Sequence, residues 1–162
     1  MKKLMRKISA KLFGSEINDI IELNKKFGMM ISDEPVYLTK RLLTERADFM
    51  QEELDEFKKA IATMDIAELA DALIDIVYVA KGTAIKAGLP WEDLWNDVHK
   101  CNMAKVRGTT KRGNAVDLMK PHGWKPPATY EILLRNGHAP EKFGREVGDH
   151  LILDESTFHD YV

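Results

Sequence analysis

Apolar residues recur along this chain at helical rather than strand spacing, and four segments carry that pattern. Residues 15–27 open on Ser15, a residue suited to cap a helix, place Glu16 in the first turn and stop at Gly28. After a turn around Ser32-Asp33-Glu34-Pro35, the spacing predicts a long helix over residues 37–64. Its apolar stripe is Leu43, Ala47, Met50, Leu54, Phe57 and Ile61. A third helix is expected over residues 65–87, ending at Gly88 and Pro90. The fourth is expected over residues 91–106, with Glu92 and Asp93 at its positive N-terminal end. No segment of comparable length alternates with a period of two. Beyond Gly108 the pattern dissolves into a basic loop over residues 108–114 and a turn-rich stretch, Lys120-Pro121-His122-Gly123-Trp124-Lys125-Pro126-Pro127. A short helix is expected over residues 128–135 and a short strand over residues 151–153. The expectation is an all-α fold, a four-helix bundle core with an irregular C-terminal extension. Its parts would be a basic N-terminal segment (1–14), the helical domain (15–127) and the extension (128–162).

At 162 residues, 44% of them hydrophobic and 31% charged, the chain suits one globular domain with a real core. The formal net charge of −2 conceals an uneven distribution. Five cations and no acid lie between Lys2 and Lys11, nine acids against Lys58 and Lys59 between Asp48 and Asp75, and seven cations against Asp117 between Lys100 and Lys125. Acidic and basic blocks in one domain suggest a bound cation beside a bound anion. The amphipathic residues 1–14 have the charge to lie on an anionic membrane, but packing on the domain or a partner subunit explains them with less. The longest apolar run is too short to span a bilayer, so no membrane role is expected. Cys101 is the only cysteine, which excludes an intrachain disulfide and suits the cytoplasm.

On the third helix Glu68, Asp71 and Asp75 fall within about 60° of one another on a helical wheel. Nearly everything around them is apolar: Leu69, Ala70, Ala72, Leu73, Ile74, Ile76, Val77 and Val79. A helix that is apolar nearly all round is expected to be buried, so its acids should point into an interior or a cleft. Such carboxylates repel one another and must protonate or find cations. Glu52, Glu53 and Glu56 add the same sign from about a 100° arc of the second helix. An acidic solvated face would explain Glu52 and Asp55 alone, but not acids on a helix with no polar face. Hard oxygen ligands without histidine or cysteine select Mg²⁺, Mn²⁺ or Ca²⁺ over zinc. A di-iron bundle would need Glu-x-x-His pairs, and none is present. At the end of the fourth helix Asn102 and Lys105 share a face and can hold phosphate oxygens, with Lys120 or Lys125 joining from the next loop.

These residues resemble the all-α nucleoside triphosphate pyrophosphatases, which include the MazG and phosphoribosyl-ATP pyrophosphohydrolase families. The family signature of Glu-Glu-x-x-Glu followed by Glu-x-x-Asp is matched by Glu52-Glu53-Leu54-Asp55-Glu56 and Glu68-Leu69-Ala70-Asp71. Asn102-Met103-Ala104-Lys105 and the Lys120–Pro127 stretch continue the likeness, which covers residues 15–127; Cys101 and residues 128–162 have no counterpart. The resemblance implies a MazG-like bundle with Mg²⁺, or Mn²⁺ in its place, on Glu53, Glu56, Glu68 and Asp71. It implies cleavage between the α and β phosphates of a nucleotide, and a homodimer or homotetramer. Glu52 or Glu53 would accept the proton of the attacking water. Asn102, Lys105 and Lys120 would hold phosphates, Arg46 a carboxylate or phosphate, Asp75 the sugar or a metal-side group, and Asn24 with Phe27 the base or ribose. No stable nucleic-acid binding is expected. The alternatives are strict phosphoribosyl-ATP hydrolysis and a non-catalytic acidic helical module that binds a protein or sequesters nucleotide.

Overall fold

The computed structural model describes residues 15–108 and 117–138. The expectations for residues 1–14, for most of the basic loop and for a strand at 151–153 lie outside the described residues. Among them are five helices and one two-strand hairpin, so the all-α class is what the chain adopts. The helices are α1 (Ser15–Lys26), α2 (Lys40–Thr63), α3 (Ile66–Lys86), α4 (Trp91–Met103) and α5 (Thr129–Arg135). They fall in two compact units, one holding α1–α3 and the other spanning Pro90–His138.

In the first unit α2 and α3 form an antiparallel hairpin of 24 and 21 residues, about 36 and 32 Å long at 1.5 Å per residue. Thr39 Oγ1 accepts from Leu42 N and sets the start of α2, three residues later than the periodicity places it. At the other end Met64 takes the left-handed conformation (φ 57°), and its N–H and that of Asp65 close on Ala60 and Ile61 carbonyls. Asp65 then caps α3, its carboxylate accepting from Ala67 N and Glu68 N. The loop after α1 satisfies the other end of α3: Ser32 N, Ser32 Oγ and Val36 N donate to the carbonyls of Ile85, Lys86 and Ala87. Gly88 leaves α3 at φ 61°, where a Cβ would land on the Glu34 carbonyl, so this turn requires glycine. α1 lies on α3, with Ile20 beside Gly82 and Lys81 paired to Glu16 at 3.5 Å.

The core of this unit comprises Ile20, Leu38, Ala60, Ala72, Ala84, Ile85 and Ala87. It is smaller than the apolar content of α2 and α3 implies. The expected burial of α3 does not hold in the single chain: Ile66 is 76% and Ile74 65% exposed, and Leu73 and Val77 are exposed as well. Glu68 and Asp71 are therefore exposed, and Asp75 half-buried. The reason is geometric, since an antiparallel hairpin with α1 laid on it covers one side of α3. The stripe of α2 shares this, with Leu43, Met50 and Phe57 half-buried and Leu54 and Ile61 exposed.

In the second unit α4 stops at Met103, three residues short of expectation, and Val106–Gly108 pairs antiparallel with Asp117–Met119 as strands β1 and β2. Asp97 accepts from Ala128 N (2.6 Å), and Asp93 accepts from Asn136 Nδ2 (3.1 Å) and pairs with Arg135. These contacts hold α5 against α4, with Ile132 buried. Among the described residues no helix is long and apolar enough to cross a membrane.

Candidate active site

The antiparallel hairpin sets Glu53 of α2 against the acidic face of α3. Glu53 is half-buried, and its carboxyl is pushed above the usual range by burial first, then by the charges of Asp75, Glu56, Glu52 and Asp71. Two of those acids lie on its own helix and two on the opposite one, so α2 and α3 bring five carboxylates within electrostatic reach of one point. Glu68 lies one turn from Asp71, and both line an open recess with Ala67, Ala70 and Ile74. Asp55 stands apart: it accepts from Lys58 Nζ (2.7 Å) and Gln51 Nε2 (2.9 Å), and these hydrogen bonds lower its pKa. That separation follows from the wheel, which at 100° per residue places Asp55 about 160° from Glu53 and about 100° from Glu56.

Among the described residues no three acidic, histidine or cysteine side chains converge closely enough to enclose an ion. The donor set nevertheless suits a hard divalent cation in its chemistry. All its members are carboxylates, and Glu53 carries the repulsion that a cation would relieve.

Arg46 lies seven residues before Glu53, about 10 Å along α2. Its Nε donates to Thr83 Oγ1 and its Nη2 to the Val79 carbonyl, both at 3.0 Å, and its guanidinium sits 5.3 Å from the Phe49 ring centroid. Arg46 thus ties α2 to α3, and burial lowers its pKa. Asn24 and Phe27, expected together at the base or ribose, sit in opposite environments. Asn24 is 2% exposed, with Nδ2 donating to the Met30 carbonyl (3.2 Å), whereas Phe27 is 62% exposed. Asn24 therefore shapes the turn after α1, where Met29 N also donates to its carbonyl.

Asn102, Lys105 and Lys120 all belong to the second unit, and the two lysines lie beside one side chain. Lys105 Nζ donates to Asn102 Oδ1 (2.7 Å) and lies 5.9 Å from the Trp124 ring centroid, while Lys120 Nζ lies 4.5 Å from it. Trp124 is the residue that the sequence reading passed over. It stood inside the Lys-Pro-His-Gly-Trp stretch, but nothing in the spacing says that its indole returns to α4.

A family model described as phosphoribosyl-ATP pyrophosphohydrolase matches residues 20–102, just over half of the chain. None of the curated proteins compared with the chain matches it. The matched span runs from the buried Ile20 to Asn102 and includes every acid named at the α2/α3 face.

Proposed function

Because the chain belongs to the phosphoribosyl-ATP pyrophosphohydrolase family, a MazG-like group of all-α nucleoside triphosphate pyrophosphatases, we propose that it is a Mg²⁺-dependent nucleotide pyrophosphohydrolase. It would cleave the α–β anhydride of a nucleoside triphosphate to give the monophosphate and pyrophosphate. The observation that carries this reading is the Glu53 carboxyl, held half-buried between acids of two helices with no cation among the described residues acting on it.

Glu53, Glu56, Glu68 and Asp71 would hold the ion, with Mn²⁺ as a substitute. Mg²⁺ bound there supplies charge neutralisation on the anhydride and Lewis acidity toward the attacking water. The chain contributes the rest. Glu52 or Glu53 would accept the proton of the attacking water on a carboxylate oxygen. Asp75 takes the sugar side of the substrate. The resemblance also assigns Asn102, Lys105 and Lys120, an amide and two ammonium groups, to the phosphates, where they would stabilise charge on the departing pyrophosphate.

The exposed Ile66, Leu73, Ile74 and Val77 support a homo-oligomer, dimer or tetramer, because an apolar surface around a charged site is normally covered. The cytoplasm is the compartment consistent with the single thiol of Cys101. Phosphoribosyl-ATP hydrolysis is the second reading, favoured by the description of the matched family.

The test is pyrophosphate release with Mg²⁺ from canonical and deoxy triphosphates and from phosphoribosyl-ATP. Release from phosphoribosyl-ATP alone selects the second reading. No release from any of them refutes both and leaves a non-catalytic nucleotide-binding module. Glu56→Gln and Asp71→Asn should each abolish turnover with helix content unchanged by circular dichroism.

A further inference from the structure

The end of α4 carries a contact, from Trp124, that the reaction scheme does not use. A helix leaves its last carbonyls without intrahelical partners, and three of those of α4 are satisfied from the chain that follows. The Lys100 carbonyl accepts from Ala104 N (3.2 Å) and the Asn102 carbonyl from Lys105 N (3.1 Å). Between them the Cys101 carbonyl accepts from the Trp124 indole Nε1 at 2.8 Å, from 23 residues away. Gly123, at φ 75°, and the turn bond from Trp124 N to the Pro121 carbonyl (3.0 Å) bring the indole back to the helix.

The indole does more than close the helix, because both of its cationic neighbours are held by its ring. Lys105 and Lys120 lie 5.9 and 4.5 Å from the centroid, so their ammonium groups are within roughly 10 Å of each other, about one Debye length at 0.1 M salt. Each ammonium group thus has an attractive neighbour in the π system of the same indole. Lys105 uses one of its three donors on Asn102 Oδ1. The Lys120 ammonium has no hydrogen-bond or ion-pair partner among the described residues. No carboxylate among the described residues pairs with either lysine. A helix C-terminus repels anions, but the indole N–H blocks the central carbonyl of this one.

We propose that Trp124 is a positioning residue that gathers Lys105 and Lys120 into one anion subsite, shaped for the terminal phosphates of the substrate. The assignment of those phosphates rests on the proposed pyrophosphohydrolase reading; the anion subsite itself does not. Trp124 touches no phosphate in this arrangement and acts through the two lysines.

The experiment is isothermal titration calorimetry of the full chain with inorganic pyrophosphate, without divalent cation, on a double-mutant cycle. Wild type should bind saturably. Lys120→Met should weaken binding about tenfold and Trp124→Leu at least as much, and the double variant should be no more than about twofold worse than Trp124→Leu alone, because Trp124 works through both lysines. Trp124→Phe keeps a six-membered ring face but loses the N–H and the five-membered ring, so it should stay within about threefold of wild type; it decides the matter should Trp124→Leu lose helix content. Losses that multiply in the double variant, undiminished binding by Trp124→Leu, a tenfold loss in Trp124→Phe, or no saturable binding by wild type each overturn the proposal. Intact coupling in a protein that hydrolyses no nucleotide would refute the enzymatic reading and leave the subsite standing.

Discussion

Arg46 can be either a substrate contact or a clasp between helices, and the two roles separate cleanly on substitution. Arg46→Met keeps the length of the aliphatic stem and removes both donors. The variant loses the bond from Nε to Thr83 Oγ1, the bond from Nη2 to the Val79 carbonyl and the cation–π contact with Phe49. The Val79 carbonyl is not orphaned, because Thr83 Oγ1 also donates to it at 2.8 Å. Each hydrogen bond is therefore worth about 1 kcal/mol rather than the cost of an unpaired buried acceptor. The cation–π contact adds roughly 0.5 kcal/mol at this partly exposed position. Burial lowers the Arg46 pKa, so methionine recovers some desolvation cost, leaving a net loss of about 1–2 kcal/mol. For a chain of this size that is a fall in Tm of roughly 3–8 °C.

The assay is urea unfolding by far-UV circular dichroism at one fixed protein concentration, since assembly would make stability concentration-dependent. KM for the best triphosphate is measured beside it. Arg46→Lys retains a charge but not the two-pronged geometry, so it should recover no more than half of the loss. A tenfold rise in KM with stability unchanged within about 0.5 kcal/mol would refute the clasp and return Arg46 to the substrate.

Two further substitutions follow from charge and burial. Lys86 is only 8% exposed, and its ammonium is pushed below the usual lysine range by burial first and then by Arg46. The folded chain thus releases this proton at lower pH than the unfolded one, and stability should rise with pH between the depressed pKa and the ordinary lysine range. Lys86→Met should flatten that rise in urea midpoints taken from pH 7 to 10; an unaltered slope would remove Lys86 as its source. Asp55 gives its carboxylate to Lys58 and Gln51 on the outer side of α2, so Asp55→Ala should leave pyrophosphate release unchanged within about twofold. A loss as deep as that expected of Glu56→Gln would place Asp55 in the metal set instead.

The helices were legible because their apolar and polar residues repeat over many turns, and caps such as Thr39 and Asp65 only trimmed their ends. The hairpin of Val106–Gly108 with Asp117–Met119 was not, since three residues are too few to show alternation. Pairings distant in sequence were hidden as well. Arg46 meets Thr83 across 37 residues, and Trp124 meets Cys101 across 23, in each case through a bond that local spacing cannot encode. The carboxylates lay between these cases. The spacing of Glu68, Asp71 and Asp75 puts them on one helix face, but that Glu53 opposes Asp71 and Asp75 follows only from how α2 packs on α3.

The exposure of α3 bears on the strength of the proposed metal site. An apolar helix announces that it should be covered without saying by what, and in the single chain Glu68 and Asp71 still face water. Water at high dielectric weakens both the repulsion among these acids and their attraction for a cation. A surface laid over Ile66, Leu73, Ile74 and Val77 would lower the local dielectric, sharpen the repulsion and make a bound Mg²⁺ correspondingly more favourable. In the proposed homo-oligomer, assembly and metal binding are then thermodynamically linked. The ion removes the electrostatic cost of bringing covered acids together, and coverage tightens the ion, so each must favour the other by the same factor.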